Sequence, residues 1–390
     1  MHTVLAAQQK TRKKALGGLL VLGAAATTLL AACGDKASDD KAGAGTTGKI
    51  AVAASDTECK VERNTSAAGT VTFSIANKGS KINEFYVYAA GDRIMGEIEN
   101  IAPGLSRELI VELPAGAYET ACKPGMIGKG IRNAFQVSGS AAPLTEDAKL
   151  AQASADYQRY VKSQTTALID QTTAFVNAVK SGDAEKAKSL FPVARTYWER
   201  IEPVAESFGD LDPAIDAREG DLEPGQEWTG FHKIEKDLWE TKDISKDGPV
   251  ADQLLKDVQT IVTKAQSVTF SPVELANGAK GLLDEVASGK ITGEEDRYSH
   301  TDLWDFAANI EGSQGAIQAL RPALEDRDPA LVKTLDENFA KVEAALEKHR
   351  DGDGWKLHNT LTQADLKELS DDINALAEPI SKVAALVAKK

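Results

Sequence analysis

Between Lys49 and Ser138 apolar residues alternate with polar ones: Val71, Phe73 and Ile75, then Leu109, Val111 and Leu113, then Phe135 and Val137. A period of two turns every second side chain into a core and predicts half-buried strands. Turn signals recur between the runs, at Asn77-Lys78-Gly79, Ala102-Pro103-Gly104, Pro114-Ala115-Gly116 and Lys123-Pro124-Gly125. Short strands so spaced predict a small β-sandwich over residues 49–138. A linker follows at 139–146, where Gly139-Ser140-Ala141-Ala142-Pro143 breaks the pattern. From Leu144 the spacing is helical, as in Leu168, Phe175 and Val179 and, near the end, Ile373, Leu376, Ile380 and Val383. Helix starts are marked by Asp212-Pro213, by Ser271-Pro272, and by Thr362 three residues before Asp365. Residues 147–390 therefore predict an all-α domain of several packed helices, arranged as two bundles.

The N-terminus follows a different logic. Lys10, Arg12, Lys13 and Lys14 precede an Ala- and Leu-rich stretch from Ala15 that closes on Leu30-Ala31-Ala32-Cys33-Gly34. Basic residues, an apolar run and small residues directly before Cys predict a bacterial signal peptide over 1–32 that ends in a lipobox. Processing would leave a lipidated Cys33. Residues 33–48 are small and polar, cannot form a core, and read as a tether from a membrane to the sandwich.

Composition narrows the class. The 390 residues carry 42% hydrophobic and 27% charged residues and a formal charge of −14, which fits soluble globular domains and excludes multispan membrane or disordered chains. Removing the leader takes four basic and no acidic residues and brings the charge to −18. Nucleic acid is thereby an unfavoured partner; a negative surface fits attraction of cations, and equally well an acidic coat that keeps the protein soluble.

Ligand types divide sharply along the chain. Apart from Met1 and Cys33, every sulfur lies in the sandwich, at Cys59, Met95, Cys122 and Met126. In an oxidising compartment Cys59 and Cys122 can form a disulfide. The alternative is a soft metal site, because thiolate and thioether favour copper, Cys122 and Met126 share one short turn, and Glu58 and Glu84 can add oxygens. The sandwich has no histidine, so a blue-copper centre with its histidine pair is excluded.

His232, His300, His349, His358 and all five tryptophans fall in the helical part. In Gly230-Phe231-His232-Lys233-Ile234-Glu235, positions three apart share a helix face, so His232 and Glu235 can reach one ion. Upstream, Glu199 and Glu202 form a second such pair, and Asp216 lies between the two pairs. Carboxylates with one imidazole, drawn from different helices, make a hard site suited to iron, manganese or zinc. The plainer reading makes Glu199 and Glu202 a solvated face paired with Arg195 and Arg200. A third cluster runs from Tyr298 through Ser299, His300, Thr301, Asp302 and Asp305 to Asn309 and Glu311. Ser299 or Thr301 as a helix cap with acids in the first turn accounts for much of it, and a second metal or a support for the first is the other reading. A zinc-protease reading fails on spacing: Lys233 and Lys236 stand where the second half of that motif needs Glu and His.

Four runs taken together, Asn100-Ile101-Ala102-Pro103-Gly104, Trp198-Glu199-Arg200-Ile201-Glu202-Pro203, Gly230 to Glu235, and His300-Thr301-Asp302-Leu303, resemble the EfeO-type family of iron-uptake proteins. The resemblance covers nearly the whole mature chain. It implies an N-terminal cupredoxin-like sandwich followed by an imelysin-like domain of two helical bundles. It further implies a non-enzymatic lipoprotein on the outer face of the cell membrane that captures iron and works with an iron permease and a haem peroxidase. On matching motifs it makes Glu199, Glu202, Asp216, His232 and Glu235 the iron site, with zinc as a substitute in vitro. Glu58, Cys59, Glu84 and Cys122 become candidates for copper or ferric ion, beside a plain Cys59–Cys122 disulfide. Imelysin-like proteins have also been grouped with peptidases, which leaves a surface metallopeptidase and a copper electron-transfer module as rival readings.

Overall fold

The structure, a computed structural model, describes residues 48–222 and 225–389. The predicted leader, the predicted lipidation site Cys33 and nearly all of the predicted tether lie outside them. Nine strands form first: β1 (Ile50–Ala54), β2 (Cys59–Val61), β3 (Thr65–Ala67), β4 (Gly69–Asn77), β5 (Asn83–Tyr88), β6 (Ile94–Ile101), β7 (Ser106–Leu113), β8 (Gly116–Pro124) and β9 (Ile131–Ser138). They make two sheets, ordered β2-β1-β4-β7 and β3-β9-β8-β5-β6. The alternation read from sequence is the cause: Val71, Phe73, Ile75, Leu109, Val111, Leu113, Phe135 and Val137 are all buried between the sheets. Phe73 packs its ring 5.1 Å from Phe85 and 5.4 Å from Phe135, one ring from the first sheet against two from the second. Burying each such side chain contributes about 1.5–3 kcal/mol.

Ten helices follow: α1 (Ala148–Lys180), α2 (Ala184–Glu199), α3 (Leu211–Asp216), α4 (Gly230–Lys236), α5 (Gly248–Ala265), α6 (Pro272–Ser288), α7 (Asp302–Arg327), α8 (Pro329–Glu347), α9 (Gln363–Ile380) and α10 (Val383–Val387). Helices α1, α2 and α5 pack together with the short α3 and α4, and α6 to α10 form a second group. The two bundles share one continuous apolar core, joined where α1 meets α7. A small hairpin, Arg350–Asp351 paired with Gly354–Trp355, interrupts the helical half.

Local signals explain several starts. Ser271 and Thr362 close reciprocal capping boxes with Glu274 and Asp365, with Pro272 in the first turn of α6. Asp212-Pro213 marks a helix that begins one residue earlier, at Leu211, so Asp212 sits inside its first turn rather than capping it. The sandwich meets the helices along β6, β7 and the 89–93 turn: Asn277 on α6 donates to the Ile110 carbonyl (2.7 Å), and Arg93 reaches the Thr269 carbonyl (3.2 Å) and Glu274 (3.3 Å). Among the described residues no helix is long and apolar enough to cross a membrane.

Candidate metal centre

The helical core buries charge on a scale the sandwich core does not. Arg195, Glu199, His232, Glu235, Lys290, Glu295, Asp296, Asp302 and Asp305 are each at most 4% exposed. They come from α2, α4, the start of α7 and the 290–301 connection. Two glycines let these elements close up. A Cβ on Gly230, whose φ is +85°, would overlap the Ile215 carbonyl, and one on Gly278 would overlap that of Pro203. The first contact holds His232 on α4 against the C-terminal end of α3, where Asp216 sits. The second lets the segment that begins at Glu202 lie on α6.

At the centre His232 is fixed from behind. Its Nδ1–H donates to Glu235 Oε2 (2.8 Å), while Glu235 Oε1 accepts from the Tyr298 and Ser299 amides (3.0 and 2.8 Å) and from the Ser299 hydroxyl (2.9 Å). Nε2 is left facing Asp216 Oδ1 at 3.5 Å and Glu295 Oε1 at 3.4 Å, and it has no hydrogen-bond partner. A buried imidazole held by a carboxylate on one nitrogen, with the other aimed between two carboxylates, is the arrangement of a metal-binding histidine. Asp216, His232 and Glu295 are also one of three groups, among the described residues, whose ligand atoms lie close enough together to hold an ion.

Internal cations occupy the neighbouring carboxylates. The Arg195 guanidinium lies among Glu199, Asp216, Glu295 and Asp305, at 3.0 Å from Glu295 and 3.2 Å from Asp305. It therefore fills the second candidate group, Glu199–Glu295–Asp305, and also takes Asp216 Oδ1 and Glu295 Oε1, the two oxygens that face His232 Nε2, so an ion there would share them with Arg195 or displace it. Lys290 Nζ bonds Glu199 (3.0 Å) and Glu202 (2.8 Å), and Asn309 donates to the same two carboxylates (2.8 and 2.7 Å). Glu202, with 16% of its side chain exposed, and Asp216, with 10%, are the members nearest solvent.

Protonation follows from these contacts. Burial and Arg195 press His232 toward neutrality, but Glu235, Glu295 and Asp216 outweigh them and hold it up at about 9. Burial would raise Glu199, but Lys290 and Arg195 bring it down to about 2. Glu295 is likewise held well below the usual range, against its burial, by Lys290, His232, Arg218 and Arg195. Burial and the Glu199 charge push Glu202 well up. Asp296 and Asp305 are raised by burial against the opposing pull of Arg195. A cation entering here meets Glu199 and Glu295 charged and must displace a proton from His232.

The structure thus redraws the set read from sequence. Asp216 and His232 converge. Glu199, buried, and Glu202, half-buried, adjoin them, bound to Lys290 rather than forming a solvated face. Arg195 does pair with Glu199, whereas Arg200 pairs with Glu311 (2.6 Å). Glu235 holds His232 at Nδ1, on the other side of the ring from the Nε2 that faces Asp216 and Glu295, and with His232 and Asp296 it makes the third candidate group. Glu295 is the member that sequence reasoning missed; the acidic run Glu294-Glu295-Asp296 was its only signal. In the third cluster neither Ser299 nor Thr301 caps α7 with its side chain. Ser299 holds Glu235, and the Thr301 hydroxyl donates to Asp296. The support reading of that cluster is the one its hydrogen bonds match.

In the sandwich, Cys59 on β2 and Cys122 on β8 form a disulfide that ties the two sheets together. Neither sulfur is then a thiolate, which removes the soft donors of a copper or ferric site. Glu58 is exposed on the turn before β2. Glu84 lies on the outer face of its sheet, where it accepts from the Tyr86 hydroxyl (3.0 Å), while its strand neighbour Phe85 and Cys122 point into the core. The four side chains do not form one site, because strand alternation sends Glu84 and Cys122 to opposite faces.

The imelysin profile, Peptidase_M75, matches residues 153–383, and a cupredoxin-like domain profile matches 21–131. The chain is 40% identical over 344 residues to the iron uptake system component EfeO of Escherichia coli O157:H7, to that of Escherichia coli K12 and to that of Shigella flexneri. Each alignment covers 86% of this chain and 90% of the relative. With the two matched regions in the same order as the sandwich and the helices, and the buried acid and imidazole cluster inside the imelysin match, the chain belongs to the imelysin family and, within it, to the EfeO-type iron-uptake components.

Proposed function

We propose that the protein is an extracytoplasmic iron-binding lipoprotein. It captures iron at Asp216, His232 and Glu295, with Glu199 and Glu202 in reserve, and delivers it to a membrane permease alongside a haem peroxidase of the same uptake system. The observation that carries this reading is the Nε2 of His232, buried, without a hydrogen bond and facing Asp216 at 3.5 Å and Glu295 at 3.4 Å. The name of the relatives, iron uptake system component, supports the choice of ion, and an oxygen-rich set with one imidazole suits iron, with zinc as a competitor in vitro. The same reading makes Cys33 the lipidated residue, residues 33–48 the tether and the chain non-enzymatic, and it divides the mature chain at residues 139–146.

Calorimetric titration with iron tests it. His232→Ala is expected to weaken binding at least about tenfold with helical content unchanged. Unchanged affinity would remove His232 from the site. Cleavage of a general protein substrate, abolished by a chelator, would instead favour the peptidase reading attached to the imelysin name.

A further inference from the structure

One end of the sandwich has a character foreign to the rest of this acidic chain. Of the six exposed large apolar side chains among the described residues, four lie there: Ile82 (44%), Leu105 (46%), Met126 (37%) and Ile127 (63%). They belong to the β4–β5, β6–β7 and β8–β9 loops. Buried Asn77 ties the first two, donating to the Lys81 and Ile101 carbonyls (2.7 Å each) while its own carbonyl accepts from Gly104 (2.9 Å). The Gly125 amide donates to the Ile82 carbonyl (2.7 Å) and ties in the third. The same loops expose Lys78, Lys81 and Lys129. Two acids lie nearby, Glu58, exposed, and Asp56, whose carboxylate is taken up by the Ser80 amide and hydroxyl (2.9 and 2.6 Å) and the Lys81 amide (3.1 Å). A chain of net charge −14 therefore presents a basic, apolar tip.

We propose that this tip docks on the anionic surface of a lipid bilayer, with Ile82, Leu105, Met126 and Ile127 entering the headgroup region and the lysines resting on phosphates. Three features favour a bilayer as the occupant. The apolar side chains project from three separate loops rather than lining a groove. The opposite end of the sandwich, at the 89–93 turn, is covered by the helices through Arg93, which leaves this end outward. Cys33 lies fifteen residues before Gly48, where the described chain starts; at roughly 3.3–3.6 Å per residue that span reaches about 50 Å, longer than any strand of the sandwich. The proposal rests on the extracytoplasmic placement but not on iron binding.

The test uses the chain from Gly34 to Lys390 without its lipid, sedimented with vesicles of phosphatidylglycerol or of phosphatidylcholine. Binding to the anionic vesicles alone is expected, weakening as salt rises toward about 0.5 M. Met126→Asp with Ile127→Asp is expected to reduce partitioning at least about tenfold, and Lys78→Gln with Lys81→Gln and Lys129→Gln to flatten the salt dependence. Circular dichroism and the melting temperature of each variant report whether it is folded, and the mass of the protein extracted from membranes reports lipidation separately. Binding to neither vesicle, equal binding to both, or full retention by both variants would overturn the proposal.

Discussion

The two halves of this molecule handle buried polarity in opposite ways. The sandwich core is aromatic and aliphatic, closed by a disulfide, and its acids Glu84 and Glu99 stand on the outer face of a sheet. The helical core encloses carboxylates that outnumber its buried cations, with an imidazole nitrogen that makes no hydrogen bond and faces two of them. Burying charge is costly, and a fold that needed only stability would fill the same volume with apolar side chains. The contrast favours the proposal that the chemistry lies in the helices and that the sandwich supports and docks them.

The largest expected break in this contrast comes from Arg195→Met. Removing the guanidinium leaves Glu199, Asp216, Glu295 and Asp305 without their shared cation, and a buried charge stripped of its partner costs about 3–5 kcal/mol. Chemical denaturation of the metal-free protein is expected to show a loss of that order, partly restored by iron. A change near zero would mean that the carboxylates simply take up protons in place of the arginine.

Next is the disulfide. Cys59→Ser with Cys122→Ser is expected to cost about 2–4 kcal/mol in stability, because the unfolded chain gains freedom over a long loop. Iron affinity should stay the same. A fall in iron affinity would show that the sandwich contributes to the site after all. Glu235→Gln is a smaller change confined to the support of one ligand. It keeps the shape but weakens the hold on His232 Nδ1, and an outer partner of this kind is worth about 10–100-fold in metal affinity. Full affinity in that variant would make the His232–Glu235 bond incidental.

The sequence reading held where a physical rule acts locally. Alternation showed the strands because each is half buried, and the spacing of His232 and Glu235 put them on one face because a helix fixes which residues neighbour each other. The roles on that face were not legible: a three-residue spacing cannot say that Glu235 holds Nδ1 while Asp216 and Glu295 face Nε2. Lys290 and Glu295 reach the centre through a tertiary approach that no local period records. Period two did imply that Glu84 and Cys122, on neighbouring strands, fall on opposite faces, but only once the register that pairs Cys122 with Phe85 was known.

The smallest effect is graded and sets the two halves apart by pH. Both His232, held up at about 9, and Asp212, pushed up to about 7 by burial and the Asp216 charge, bind protons more tightly in the folded chain than in the unfolded one. A group of that kind stabilises the fold below its unfolded value and loses the contribution as pH rises through its folded value. The metal-free protein should therefore melt at progressively lower temperature as pH rises from about 6 to 9. Iron affinity should move the other way, gaining up to about tenfold per unit over the same range, because the ion needs the His232 proton gone. Calorimetry in buffers of different ionisation heat would count that proton, and His232→Gln should abolish its release. If stability and affinity rose together with pH, the imidazole would already be neutral before iron arrives, and the electrostatic pull of Glu235, Glu295 and Asp216 would be weaker than their distances imply.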